Sequence, residues 1–244
     1  LLDTLQFLYE LQADCYVNYA KALRAAGYQG EVLGSNWQAG RAFSHFANMH
    51  TDWLVGTIDR HNYFGGKGGG SMLQRAGMGM LSSGMQQASD RPFMLSEWIH
   101  TYPNEWGAEG PAILGAYGMG LQGWDVSFAF QNRDDGRFSD RIGRDEWDAT
   151  SPLFLGMFPA VARQVLRGDV AQATQTAPLR VHVPSLRQGR LSVDDRATAQ
   201  GDVKTATSGA VPAAALAVAR VAVEFTDTYQ DTPAFDLAPF RADG

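Results

Sequence analysis

Four short apolar runs alternate with helical stretches along residues 31–168, and this rhythm restricts the fold more than any other feature of the chain. The runs cover residues 31–37, 54–63, 92–97 and 121–130, and helical patterns fill 44–53, 110–119 and 152–166. One strand and one helix recur every 25–35 residues or so, roughly the length of a strand plus a crossover. Parallel strands cannot be joined by a tight turn, and the helix that makes the crossover also covers the sheet. The expected fold class is therefore α/β with a parallel sheet. A further helix is expected over residues 3–26, where Leu5, Leu8, Leu11, Cys15, Tyr19 and Leu23 recur at helical spacing. Asp3 or Thr4 can cap its start, and Gly27 stops it.

A doubly wound sheet shares this rhythm, and the distribution of unusual residues favours a barrel instead. The apolar runs end in Asn36-Trp37, His61-Asn62-Tyr63, Glu97-Trp98 and Trp124-Asp125. Barrel enzymes carry their chemistry at the carboxyl ends of their strands. The Gly-rich stretch at 65–70 lacks both the GK[ST] ending and the helix start of a phosphate loop, so nucleotide binding is not expected. Residues 65–90 are rich in Gly, Ser and Met without periodicity and are expected to form a long mobile loop. After Gly168 the character changes: residues 179–183 and 215–226 read as strands among turn-rich stretches. The chain thus divides into two regions, 1–168 with the alternating units and 169–244 as a β-rich accessory region.

Charge narrows the partners. With a formal net charge of −6 and a pI near 5.3, the chain lacks the basic face that nucleic acid or an anionic membrane requires. No apolar run reaches the ~18 residues of a membrane span. The single cysteine, Cys15, forbids an intrachain disulfide and reads as a small buried hydrophobe. Six Trp among 11% aromatic residues admit two readings, core packing or flat faces for the C–H faces of sugar rings. No HExxH-like pair occurs among the five His, and no G-x-S-x-G elbow is present, so neither a metal nor a cofactor is expected.

The segment Ser96-Glu97-Trp98 after an apolar run resembles the nucleophile strand of the large (β/α)8-barrel clan of retaining glycoside hydrolases, clan A. In that clan the seventh strand ends in the nucleophilic Glu, the sixth often carries His-x-Tyr, and the eighth often carries a Trp beneath the sugar. Glu97, His61-Asn62-Tyr63 and Trp124 match in order and spacing over roughly residues 30–168. The resemblance implies that 1–168 is the second half of a TIM barrel, its fifth to eighth βα units. It implies a hydrolase of β-linked poly- or oligosaccharide with Glu97 as nucleophile, aimed by His61 and Tyr63. Asn36, Trp37, Trp98, Trp106, Trp124 and Asp125 would line the sugar subsites, and Asp59 would support His61 from deeper in its strand. A carboxylate below the anomeric carbon can trap the oxocarbenium-like state covalently, provided it is ionised and held in line.

One departure qualifies the match. The clan's acid/base Glu sits at the end of the fourth strand, which here would lie before Leu1, and Glu10 is inside a helix. Retaining hydrolysis needs a second carboxyl about 5–5.5 Å away. The chain opens directly into a helix without a leader pattern, so a fragment of a longer enzyme is expected; a secreted or periplasmic origin rests only on the polysaccharide reading. The alternative is a non-catalytic carbohydrate-binding or structural remnant. A half-barrel would expose sheet edges and apolar faces, and a homo-oligomer is expected if the chain is complete.

Overall fold

The computed structural model describes residues 1–36, 44–65, 69–101, 104–131, 146–190 and 209–241. Within them the chain is a mixed α/β protein with two small parallel sheets. Helix α1 is Leu2–Ala25 and α2 is Ser44–Trp53. Strands β1 (Ile58–Gly65), β2 (Phe93–Thr101) and β3 (Val126–Ala129) pair in chain order, all parallel. Helix α3 (Glu109–Ile113) runs into a π-helix, Leu114–Leu121, between β2 and β3. Helices α4 (Pro152–Leu155) and α5 (Phe158–Arg167) come after β3, and Gly168 ends α5 in the left-handed conformation. Among the described residues no closed barrel is present; the sheets have three and two strands.

The parallel sheet agrees with the alternation read from the sequence, but its strands are displaced. The expected first strand shrinks to one parallel bridge, Leu33 to Thr57. The second begins later than its apolar residues suggest, because Leu54 and Val55 belong to the turn that ends α2, where Leu54 N–H bonds the His50 carbonyl at 3.0 Å. Strand β1 itself is polar, yet it is held inside the protein. Asp59, Arg60, His61 and Asn62 are buried, and each has a polar partner that makes burial tolerable. Arg60 Nη1 meets Asp52 Oδ2 at 2.9 Å, Asn62 Nδ2 donates to Ser83 Oγ at 2.8 Å, and Asp59 Oδ1 accepts the Ser96 amide at 3.0 Å. The third strand runs on through Glu97 to Thr101, so Glu97 lies mid-strand and not at its end.

Trp124 and Asp125 precede β3 instead of ending it. Asp125 Oδ2 accepts the Phe93 amide at 2.9 Å, which ties both residues to the amino end of the sheet. The run 121–130 begins inside the preceding helix, since Leu121 is the last residue of the π-helix. Gly118 allows this: a Cβ there would stand 2.3 Å from Cε3 of Trp124.

Residues 69–90 correct the expectation of a mobile loop. They form 3-10 helices at Met72–Gln74 and Gly79–Gln86, and Met72, Met80 and Met85 are buried in the main core. Unbranched Met side chains fill irregular space, so a stretch without periodicity still packs. Helix α1 differs in the opposite sense. It has no buried residue, and Phe7, Leu8, Leu11, Tyr19 and Cys15 are exposed. Its first turn begins at Leu2 without a side-chain cap from Asp3 or Thr4.

In the C-terminal region β4 (Thr176–His182) and β5 (Arg220–Thr226) pair in parallel. This sheet shares the core of residues 1–168. Gln87 Nε2 donates to the Val221 carbonyl at 2.9 Å, and Gln122 Nε2 donates to the carbonyls of Leu216 and Ala219 at 2.9 and 2.7 Å. Ala177, Leu179, Val221 and Val223 belong to the same buried cluster as Phe93, Leu95 and Trp98.

Candidate functional site

Period-two alternation would put Glu97 on the face opposite Ser96. A β-bulge changes this. Arg60 aligns with Leu95 but His61 aligns with Glu97, so Ser96 is the additional residue on β2. Ser96 and Glu97 therefore both reach His61: the His61 Nε2 is 3.2 Å from Ser96 Oγ, and its Nδ1 is 3.8 Å from Glu97 Oε2. Bulges re-aim side chains in this way and are frequent beside functional sites. The Glu97 carboxylate keeps 31% of its exposure, while the His61 side chain keeps 9%. One group is open to a ligand and the other is held behind it.

Asp59 supports this pair from below. Burial pushes its carboxyl up; hydrogen bonds from Ser96 pull it back, as do the charges of His61 and Arg60. With Ser96 Oγ on Nε2, the other ring nitrogen of His61 is the one that faces Glu97. A proton on Nδ1 would pair His61 with the Glu97 carboxylate, so the arrangement can hold that carboxylate in one direction. Beside Asp59 and Ser96 the sheet face opens into a shallow cavity of about 430 Å3, which Asn36 and Met94 also line.

Tyr63 lies further along β1. Its ring stands edge-on to His61 at 6.5 Å, to Phe130 at 5.7 Å and to Trp147 at 5.1 Å. Phe130 and Trp147 are also edge-on to each other at 5.7 Å. Of these three partly buried rings Tyr63 stands next to His61 and the other two pack on Tyr63; sequence reasoning missed those two, Phe130 and Trp147. Phe130 ends the run to which Trp124 draws attention. Trp147 sits between Glu146 and Asp148, where a large apolar ring among charges is the available signal.

Of the expected site residues, Glu97, His61 and Tyr63 come together, and Asn36 lines the neighbouring cavity. Trp37 lies outside the described residues. Trp98 and Trp124 are corrected to core residues. Trp98 is fully buried beyond the bulge, its ring parallel to Phe64 and tilted against Phe154, and its Nε1 donates to Ser127 Oγ at 2.7 Å. Trp124 is 3% exposed between Phe93 and Tyr117. Asp125 is likewise a strand clasp at the far end of the sheet. Trp106 is 41% exposed on the turn after β2, where Asn104 Oδ1 accepts its amide at 2.8 Å.

Among the described residues no group of three or more His, Cys, Asp or Glu side chains could hold a metal ion. No helix among them is long and apolar enough to cross a membrane. No family model matches the chain, and no curated protein or solved structure matches it either.

Proposed function

We propose that the chain is the second half of a (β/α)8-barrel glycoside hydrolase that acts on β-linked poly- or oligosaccharide with retention, with Glu97 as its nucleophile. The observation that carries this reading is the bulge at Ser96, which turns a partly exposed carboxylate toward a buried His beside Tyr63, on which Phe130 and Trp147 pack. A sugar bound over Glu97 would present its C–H faces to Tyr63, Phe130 and Trp147. Carboxylate attack at the anomeric carbon would form a glycosyl ester and release the leaving oxygen, and water would then cleave the ester. His61, 3.8 Å away, helps to orient Glu97 for the first step. The parallel order β1-β2-β3, continued outward by the Leu33 bridge, is the order a barrel would have. The acid/base carboxyl is assigned to a part of the barrel outside this chain.

A second reading rests on the same rings. An aromatic group beside a carboxylate binds a sugar whether or not its bond is cleaved, so a carbohydrate-binding module uses the same residues. Activated 2-deoxy-2-fluoro glycosides separate the two, since a good leaving group needs no acid and the fluorine slows hydrolysis of the ester. Mass spectrometry should find the sugar on the peptide containing Glu97, and Glu97→Gln should abolish the label. A label on another carboxylate overturns Glu97 as nucleophile. Glycan binding that depends on Trp147, without any label, favours the binding module. Neither label nor binding removes both readings.

A further inference from the structure

A second pocket lies away from Glu97, among the elements that connect the strands. It is an apolar space of about 500 Å3, within the roughly 300–1,000 Å3 range of small-molecule sites. Leu81, Ile113, Ala116, Tyr117, Leu121 and Leu216 are among the residues of its wall. One side is the π-helix Leu114–Leu121, and π-helical turns concentrate at functional sites. Small residues keep the space open: Ala112, Ala116 and Ala217 stand where a packed core would carry larger side chains.

The polar groups of the pocket decide what it accepts. Tyr117 donates its hydroxyl to the Leu81 carbonyl at 2.6 Å and has no second proton to offer. Glu109 is committed to the neighbouring 3-10 turn, accepting from Ser71 Oγ at 2.5 Å and from the Met72 amide at 2.9 Å. Arg75 remains. It lines the same pocket, and among the described residues no carboxylate or carbonyl engages its guanidinium. An aliphatic chamber with one uncommitted cation on its lining is complementary to an anion that carries an apolar tail. A guanidinium prefers a planar carboxylate, which it can grip through two parallel hydrogen bonds.

We propose that this pocket binds a free monocarboxylic acid with an unbranched alkyl chain, its chain between the π-helix and Leu216 and its carboxylate on Arg75. The site is independent of the glycosidase reading. Calorimetric titration of the whole chain with decanoate and with decanol tests it. Decanoate should bind more tightly than decanol. Arg75→Gln should weaken decanoate by about tenfold or more, the value of a charged hydrogen bond, and leave decanol unchanged. Ala116→Phe should fill the chamber and abolish both. Equal affinity for the two probes, or decanoate binding unaltered in Arg75→Gln, overturns the carboxylate assignment. Binding that persists in a folded Ala116→Phe variant overturns the pocket. If that variant does not fold, Arg75→Gln decides alone, because Arg75 is exposed and its replacement leaves the core intact. Sedimentation run alongside covers another occupant: a dimer that decanoate dissociates would assign the pocket to a second copy and overturn the proposal.

Discussion

Trp98→Ala distinguishes a core residue from a sugar platform at the position next to Glu97. The ring is fully buried and packs at 5.2 Å from Phe154 and 6.4 Å from Phe64. It also leaves no space toward α3: a Cβ on Gly110 would stand 3.1 Å from Cζ3 of Trp98. A buried Trp removes about 150–250 Å2 from water, which at ~25 cal/mol per Å2 is an upper limit of about 4–6 kcal/mol. Truncations of this kind cost about 3–5 kcal/mol because the site collapses only in part. The Ser127 hydroxyl left behind is half-buried and can turn to water, so little is added for it. The expected loss is about 3–5 kcal/mol. Urea unfolding followed by circular dichroism reads it. With a slope of at most ~3 kcal/mol per M, the midpoint should fall by about 1 M or more. Trp98→Phe keeps a ring but loses the bond to Ser127, and should fall by about 1–2 kcal/mol. A midpoint that moves by less than about 0.3 M, together with lost glycan binding, would refute the core assignment.

Acid should destabilise the fold through its buried histidines. Burial lowers the pKa of both His50 and His100 from 6.5 to about 4, with Asp227 and Glu109 respectively pulling back. Both are thus neutral in the fold, while the unfolded chain takes up protons below about 6.5. Their stabilisation is present above that value and is lost as pH falls toward 4, by up to about 3 kcal/mol each. His100→Leu should flatten the fall in melting temperature over this window; a slope identical to that of the unmutated chain would refute the assignment. Gly118→Ala should destabilise by about 1–3 kcal/mol in thermal melts, because its methyl would press on the Trp124 ring. Gln122→Leu leaves the carbonyls of Leu216 and Ala219 and the Val221 amide without their partner and should cost about 3 kcal/mol or more by urea unfolding. Trp147→Ala should weaken glycan binding by about 1–3 kcal/mol in calorimetry while Glu97 labelling persists at high glycoside concentration.

The parallel α/β sheet was legible in the sequence because its cause is local: apolar runs too far apart for hairpins and too regular for loops. That Glu97, His61 and Tyr63 lie close together was legible for the same reason, since each stands in or directly after such a run. Local pattern could not determine on which side of β2 the next residue falls. The bulge at Ser96 reverses the alternation, sending Trp98 into the core and Glu97 to His61, and it exists only through the pairing of β1 with β2. Trp124 and Trp147 carry the same side chain, yet contact with Phe93 and Tyr117 buries one in the core while Tyr63 and Phe130 flank the other beside the site. The Met-rich stretch from 72 to 85 has no periodicity because its burial is set by the shape of the space it fills. Period and composition act along the chain and fixed the class of fold, whereas which rings are buried in the core and which stand at the candidate site was decided by neighbours distant in sequence, through register and packing that no single segment contains.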